Sequence, residues 1–413
     1  VSYKGGWNRL EVFMGDGNYW TIVEKYKQYV MPTYAPKMLI TRGRGSWVWD
    51  SDDKRYLDFG TGISVCNLGH CHPAVTKAIQ DQAAKLVHVS NLYMNEKQPA
   101  LAERLVNHCF DGVAFFANSG AEANEGLIKF ARKWGSEQGR HEIITMQDSF
   151  HGRTLATLAA TGRAKYRKGF EPDMPGFSHV PFNDIEALKA AITDKTAAIM
   201  LEPVQGEGGV IPADGEYLKQ VRALCDEQGI LLLFDEVQCG MGRTGYMFAF
   251  KSYGVEPDAV SLAKALGNGF PIGAFIVKRK YAATLAFGTH ASTFGGTPLA
   301  CAAACAVIDA IHRENILANC VKMGHFMQSE LAKLADKYEF IKAIRGRGLM
   351  LGIQLDRNAS AIIPLLLEHG MIALTAGEDV LRLMPALNIT REEVDIAVQI
   401  LDKAFTEFAA KAE

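Results

Sequence analysis

Two charged residues stand where buried strands should end. Residues 230–234 read Ile-Leu-Leu-Leu-Phe and run straight into Asp235, Glu236, Val237 and Gln238. Residues 258–263 read Asp-Ala-Val-Ser-Leu-Ala and are followed by Lys264, then Ala-Leu-Gly-Asn-Gly-Phe-Pro-Ile-Gly. A carboxylate or ammonium in such a place costs several kcal/mol unless it meets a partner. The bland reading of Asp235 is a helix cap or an ion pair; the chemical one is an acid that holds a cationic ring nitrogen. Lys264 could snorkel to the surface. Desolvated instead, it would offer a neutral amine for covalent attachment to a carbonyl. The glycines after it allow the backbone to turn tightly beside a ligand, although their spacing is not the dinucleotide fingerprint.

Two further strings follow apolar runs. After residues 113–117 comes Asn118-Ser119-Gly120-Ala121-Glu122-Ala123-Asn124. A turn of small residues opening a helix presents free N–H groups and a positive dipole end to an anion such as a phosphate. The same string can equally be a serine cap with a nearby Glu. After Met146 comes Gln147-Asp148-Ser149-Phe150-His151-Gly152-Arg153-Thr154. Here Phe150 could stack on a planar ligand and Arg153 could fork onto a carboxylate, or the segment is a loop with an incidental basic residue.

These residues need elements to hold them. Residues 113–117, 142–146, 197–201, 230–234 and 259–262 read as short strands. Helix-like segments separate several of them, at 121–134 and 217–228, and another follows Pro73. Continuously apolar strands alternating with helices imply an α/β fold whose mostly parallel sheet is covered on both faces. Ligands gather at the carboxyl ends of such strands, where all four strings lie. The flanks, 19–65 and 300–413, are richer in turns and read as one smaller lobe, with 66–299 as the large domain. Residues 1–18 are read as an N-terminal extension without fixed structure.

Composition sets the outer limits. Of 413 residues, 48% are apolar and 22% charged, and the net charge of -2 gives no electrostatic basis for nucleic-acid or membrane binding. No apolar run approaches the roughly 18 residues of a membrane span, and the start carries no secretory apolar region. The eight cysteines (66, 71, 109, 225, 239, 301, 305 and 320) form no Cys-x-x-Cys pair. They read as reduced core residues of a cytoplasmic protein. His70, Cys71 and His72 lack the further ligands a zinc site needs, so no metal is expected.

Taken together, Phe-Asp-Glu-Val-Gln at 234–238 and Ser-Leu-Ala-Lys-Ala at 261–265 with its Gly-Asn-Gly-Phe-Pro-Ile-Gly tail resemble the class III (ω-) aminotransferases of pyridoxal-phosphate (PLP) fold type I. The resemblance runs from about Tyr26 to the C-terminus. It is strengthened by Val-Met-Pro-Thr-Tyr at 30–34, Leu-Gly-His-Cys-His-Pro at 68–73 and Gly-Thr-His-Ala-Ser-Thr-Phe-Gly-Gly at 288–296. It implies a seven-stranded-type central sheet in the large domain and an α+β small lobe from both chain ends. It also implies pyridoxal 5'-phosphate as cofactor, carried as a Schiff base on Lys264, which then shuttles the substrate proton. By the same resemblance Asp235 pairs with the ring nitrogen, Gln238 bonds the ring hydroxyl, and Phe150 and Val237 cover the two ring faces. Ser119, Gly120 and Ala121 hold the phosphate, joined by Thr293 from a neighbouring subunit, which implies a homodimer with a shared active site.

On the substrate side the resemblance makes Arg153 the grip for the carboxylate far from the reacting amine and Arg382 the grip for the α-carboxylate of glutamate. Glu207 resembles the family's switch carboxylate, pairing with Arg382 when an ω-amine occupies the site. Ornithine aminotransferases are similar but carry a tyrosine where this chain has Ile63, and an apolar residue suits an acylated amine. The nearest likeness is therefore to the acetylornithine branch. That implies transfer of the δ-amino group of N2-acetyl-L-ornithine to 2-oxoglutarate, in arginine biosynthesis. Succinylornithine, N-succinyl-diaminopimelate, 4-aminobutyrate and ornithine remain as alternative donors. A PLP aminomutase or a PLP-binding protein without turnover are the alternatives of another class. Thr297 departs from the Asn usual before Pro298.

Overall fold

The structure is a computed structural model that describes residues 17–410, with side chains described from residue 19. The expected extension over 1–18 thus lies outside the described residues, apart from Gly17 and Asn18, whose backbone opens the helix Gly17–Tyr29.

A seven-stranded sheet forms the centre, in the spatial order Gly112–Ala117, Gly273–Lys278, Ala259–Leu262, Leu231–Asp235, Thr196–Leu201, Glu142–Met146, Phe177–Val180. All neighbouring pairs are parallel except the two made by Gly273–Lys278, which runs against both its neighbours. The sheet is mostly parallel, as expected. Every residue of Leu231–Asp235 and Ala259–Leu262 is buried, which is why these strands read as unbroken apolar runs.

Two strands escaped the sequence reading. Phe177–Val180 is a sheet edge carrying Ser178 and His179, so it shows no apolar run. Gly273–Lys278 starts on a glycine directly after a glycine-rich turn, which hides its onset.

Helices cover the sheet. The helix Gly120–Gly135 lies tight against it because Gly126 has no side chain; a Cβ there would come within 2.3 Å of the Phe275 ring. Pro73–Lys85 begins on its proline, and Gly215–Gln228 is capped by Asp214, which accepts from the N–H groups of Glu216 and Tyr217. The helix Pro298–Arg313 packs on Pro73–Lys85 and on Lys97–His108.

The chain ends meet in a second sheet. The strands Ile40–Arg44, Trp47–Asp50 and Arg55–Asp58 pair in sequence, and Met371–Ile372 adds in parallel to the last of them. A further four-stranded sheet orders Ile341–Arg347, Met350–Leu355, Val380–Leu383 and Leu374–Ala376. All eight cysteines are free thiols. Six are buried, whereas Cys71 is exposed and Cys66 half-buried, so the core expectation fails for those two. No helix among the described residues is long and apolar enough to cross a membrane.

Candidate active site

The carboxyl ends of the strands surround a cavity of about 380 Å3. Ser119, Gly120, Ala121, Phe150, Arg153, Asp235, Val237, Gln238 and Lys264 all line it. Nine of the residues singled out by sequence therefore come together. Glu207 and Arg382 meet each other beside it, Ile63 sits on a turn next to it, and Thr293 is exposed outside it.

Asp235 is buried at 3% exposure and is held from three directions. Its Oδ2 accepts from Asn124 Nδ2 at 2.7 Å and from His151 Nδ1 at 2.8 Å, and its Oδ1 accepts from the Val237 N–H at 2.9 Å. Asn124 is itself fixed, since its Oδ1 accepts from the Ser261 hydroxyl at 2.6 Å and its Nδ2 also donates to the His151 carbonyl at 2.7 Å. Burial disfavours a charged His151, but the hydrogen bond and charge of Asp235, with Glu202 adding, outweigh it and raise the imidazole pKa. A carboxylate has about four acceptor positions. Three N–H donors leave room at Oδ1 for one more, and Asp235 lines the cavity.

Lys264 lies across the same cavity, half-buried, with a positive φ of 45°. No hydrogen bond to its Nζ is formed among the described residues. Burial, reinforced by the nearby Arg382 charge, lowers its pKa against the opposing pull of Glu207, Asp235 and Glu202. An amine with a lowered pKa and no partner is poised for covalent chemistry.

At the third wall the helix Gly120–Gly135 opens on Ser119. The Ser119 hydroxyl accepts from the Glu122 N–H at 3.2 Å, and Glu122 Oε2 accepts from the Asn118 N–H at 2.6 Å. Gly120 keeps this helix end open, because a Cβ there would come 2.7 Å from Val237 Cγ1. The free N–H groups and dipole of a 16-residue helix suit a phosphate.

Phe150 and Arg153 form the rim. The Phe150 N–H donates to Glu202 Oε1 at 3.0 Å. The Arg153 guanidinium lies 4.1 Å from the Tyr166 ring centroid and 5.5 Å from that of Phe150. It is exposed and makes no ion pair among the described residues, so its fork is free for a carboxylate. Burial pushes Glu202 up to about 7.

Glu207 Oε1 and Arg382 Nη1 are 2.6 Å apart, and Arg382 Nη1 also donates to Gln238 Oε1 at 3.1 Å. Arg382 is 2% exposed. Burial works against a charged Glu207, yet the charge and hydrogen bond of Arg382 outweigh it and lower its pKa.

Ile63 is 42% exposed and belongs to a turn of unusual hand. Thr61, Gly62, Ile63 and Ser64 have φ of 44°, 65°, 66° and 61°, one turn of left-handed helix. That conformation costs roughly 1–2 kcal/mol for each residue other than glycine, and β-branched Thr and Ile are the least suited to it. Asp58 Oδ1 holds its start, accepting from the N–H groups of Gly60 at 2.8 Å and Thr61 at 2.9 Å.

Asn124, His151, Glu202 and Ser261 were missed as site residues by the sequence reading. Asn124, His151 and Ser261 stood inside strings already singled out and Glu202 directly follows the apolar run 197–201, but nothing in spacing distinguishes a polar residue that orients a carboxylate from one that caps a helix.

Comparison with known proteins follows the same lines. Residues 29–405 match the family model described as aminotransferase class-III. An acetylornithine aminotransferase of Methanocaldococcus jannaschii is 52% identical over 389 residues, covering 93% of this chain and 98% of that protein. The crystal structure of N-acetylornithine aminotransferase from Stenotrophomonas maltophilia K279a superposes with a TM-score of 0.82 at 40% identity, over 94% of this chain and all of that one. An ornithine aminotransferase structure from Toxoplasma gondii, described as having PLP in partial occupancy at its active site, gives 0.90 at 33% identity, over 94% and 95% of the two chains.

Proposed function

The chain belongs to the class-III aminotransferases, and from that premise we propose that it transfers the δ-amino group of N2-acetyl-L-ornithine to 2-oxoglutarate. The products are N-acetyl-L-glutamate 5-semialdehyde and L-glutamate. Pyridoxal 5'-phosphate is its cofactor, and the cavity fits it: an oriented buried carboxylate, an amine of lowered pKa and an open helix end occupy three of its walls. When bound, the cofactor supplies an electron-accepting ring that stabilises negative charge at the substrate carbon.

The chain's own residues do the rest. Lys264 would attach the cofactor and then move the proton to and from the amine-bearing carbon. Asp235, oriented by Asn124 and His151, would hold the ring nitrogen protonated. Gln238 would reach the ring hydroxyl, Phe150 and Val237 would bracket the ring, and Ser119, Gly120 and Ala121 would bind the phosphate.

The observation that carries the substrate reading is the Glu207–Arg382 pair. One pocket must accept the α-carboxylate of glutamate in one half-reaction and the uncharged methylene stem of a δ-amine in the other. Paired, Arg382 is neutralised and presents no bare cation to the stem; released, it binds the carboxylate. Arg153 takes the carboxylate at the far end in both. Ile63, in place of a hydroxylated aromatic, favours a donor whose α-amine is acylated.

Two copies complete the site in this proposal. Thr293 is exposed, and around it Leu92, Tyr93, Met94, Phe287 and Phe294 expose 60% or more of their surface. Large apolar side chains left this exposed need cover, and a second copy of the chain laid on them would bring Thr293 to the other phosphate. The division into a large domain at 66–299 and a small lobe from 19–65 and 300–413 is part of the same proposal, as is a cytoplasmic site of action.

Single half-reactions test the donor. Acetylornithine should discharge the visible absorbance of the loaded enzyme at least about tenfold more efficiently, in kcat/KM, than free ornithine or 4-aminobutyrate, a difference of about 1.4 kcal/mol at the transition state. The reverse order would sink the assignment.

A further inference from the structure

Arg243 is the largest fully buried side chain in the described protein, and no carboxylate pairs with it. Its side-chain hydrogen bonds all go to neutral oxygens. Its Nε donates to Ser64 Oγ at 3.0 Å, its Nη1 to the carbonyls of Leu349 at 3.0 Å and Pro385 at 2.5 Å, and its Nη2 to Asn67 Oδ1. A buried guanidinium without a counter-charge is expensive, and an apolar side chain would usually fill the volume at less cost. What the planar fork provides here is a fixed geometry among three separate segments.

One of those segments is the left-handed turn. Ser64, wholly buried, accepts from Arg243 and donates its own proton to the Gln238 carbonyl at 3.2 Å. Thr61 donates to the Met384 carbonyl at 2.8 Å, two residues beyond Arg382, and the Met384 N–H returns to the Phe59 carbonyl at 2.7 Å. The turn is thus tied on one side to Gln238 and on the other to the strand end that carries Arg382. At its apex Gly62 and Ile63 are exposed, while Val65 just after the turn lines the cavity.

We propose that Arg243 and Ser64 are positioning residues: through their hydrogen bond they hold the strained turn at 61–64 in the one conformation that sets Ile63 and Val65 against the amino donor. Neither touches the donor. Backbone held in a sparsely populated region persists only where its surroundings over-determine it, and these two side chains are the part of that surrounding that reaches Ser64. Without the Ser64 hydroxyl the turn relaxes toward right-handed or extended geometry, Ile63 leaves its place, and the distinction between acylated and free α-amines weakens. This rests on the proposed role of Ile63 at the donor end.

The test is donor selectivity in the loaded enzyme. Ser64→Gly keeps a residue at ease with φ of 61° but removes the hydroxyl; Ser64→Ala removes it with a residue that is not at ease there. Arg243→Lys retains a cation that cannot span all four acceptors. For Ser64→Gly and Arg243→Lys the ratio of kcat/KM for acetylornithine over ornithine should fall at least about tenfold, 1.4 kcal/mol of discrimination. Ser64→Ala should lose more. A loss of stability alone would lower both donors equally and leave the ratio in place. Whichever donor the wild-type enzyme prefers, a ratio that Ser64→Gly and Arg243→Lys both leave within about twofold overturns the positioning role. A wild-type enzyme that prefers free ornithine overturns the acyl reading of Ile63 instead, and the shift in ratio still decides the role of Ser64.

Discussion

Glu207 Oε1 sits 2.6 Å from Arg382 Nη1, and that same nitrogen reaches Gln238 Oε1 at 3.1 Å, so the proposed glutamate grip, its carboxylate partner and a cavity wall are one connected unit. Removing one member of a buried pair leaves an uncompensated charge, at a cost of about 3–5 kcal/mol. By the proposed roles, a substrate carboxylate would compensate Arg382 in the glutamate half-reaction, whereas in the donor half-reaction nothing would. Glu207→Ala should therefore lower kcat/KM for acetylornithine by about tenfold or more and that for glutamate by less than about threefold. Separate half-reaction kinetics read this directly, and equal losses would remove the switch.

Lys264→Ala should abolish the visible band that the lysine-bound cofactor gives, and lower the overall rate by at least about 10^2–10^4-fold, the usual worth of a positioned acid–base group. The readout is an absorbance spectrum of the purified variant with added pyridoxal phosphate, alongside its turnover. A variant that keeps the wild-type band would place the attachment elsewhere.

The residues of that site were legible in sequence for a physical reason. Asp235 and Lys264 break apolar runs, and a charge at the end of a buried strand has few explanations. The strands themselves were legible because burial on both faces leaves them uniformly apolar, as at Leu231–Asp235. Polar residues that serve other residues leave no such trace. Asn124 and His151 orient Asp235 through contacts spanning 111 and 84 positions of chain, and no local pattern records them. The turn at 61–64 is the extreme case. Thr61 and Ile63 have the side chains of a strand, and the turn is held left-handed by Asp58, Gln238, Arg243 and Met384, all but the first distant in sequence.

Asp58 brings a pH dependence with it. While Oδ1 holds the turn, Oδ2 accepts from His70 Nε2 at 2.7 Å, and this hydrogen bond above all raises the His70 pKa from 6.5 to about 10. A raised pKa means that the folded state binds the proton more tightly than the unfolded one. The resulting stabilisation is fully present below about 6.5 and disappears as pH rises through about 10. The thermal midpoint of His70→Gln should therefore fall short of wild type most at pH 6.5, and the gap should close steadily toward pH 10. Parallel melting curves across that range would refute the pairing if the gap stayed constant.

Gly120 offers a test of the cofactor cradle that spares every charged group. It lies at the open end of the helix Gly120–Gly135, and the missing Cβ would stand 2.7 Å from Val237 Cγ1 and 3.1 Å from Val237 Cγ2. Val237 is β-branched and stiff at χ1, so it cannot swing aside cheaply. Its backbone is also fixed, because its N–H donates to Asp235 Oδ1 at 2.9 Å. The added methyl must therefore push the helix end away from the strand ends, and the phosphate cradle moves relative to Asp235. Gly120→Ala should weaken pyridoxal phosphate binding by about tenfold or more, 1.4 kcal/mol, while the cofactor-free protein loses little stability, since alanine is a better helix residue than glycine. Val237→Ala removes the two methyls that collide, so the double variant should regain most of the affinity lost, less the contact Val237 makes with the ring. Cofactor titrations of the three variants measure this as a double-mutant cycle. Strictly additive losses would mean that Gly120 and Val237 do not share the wall that holds the cofactor.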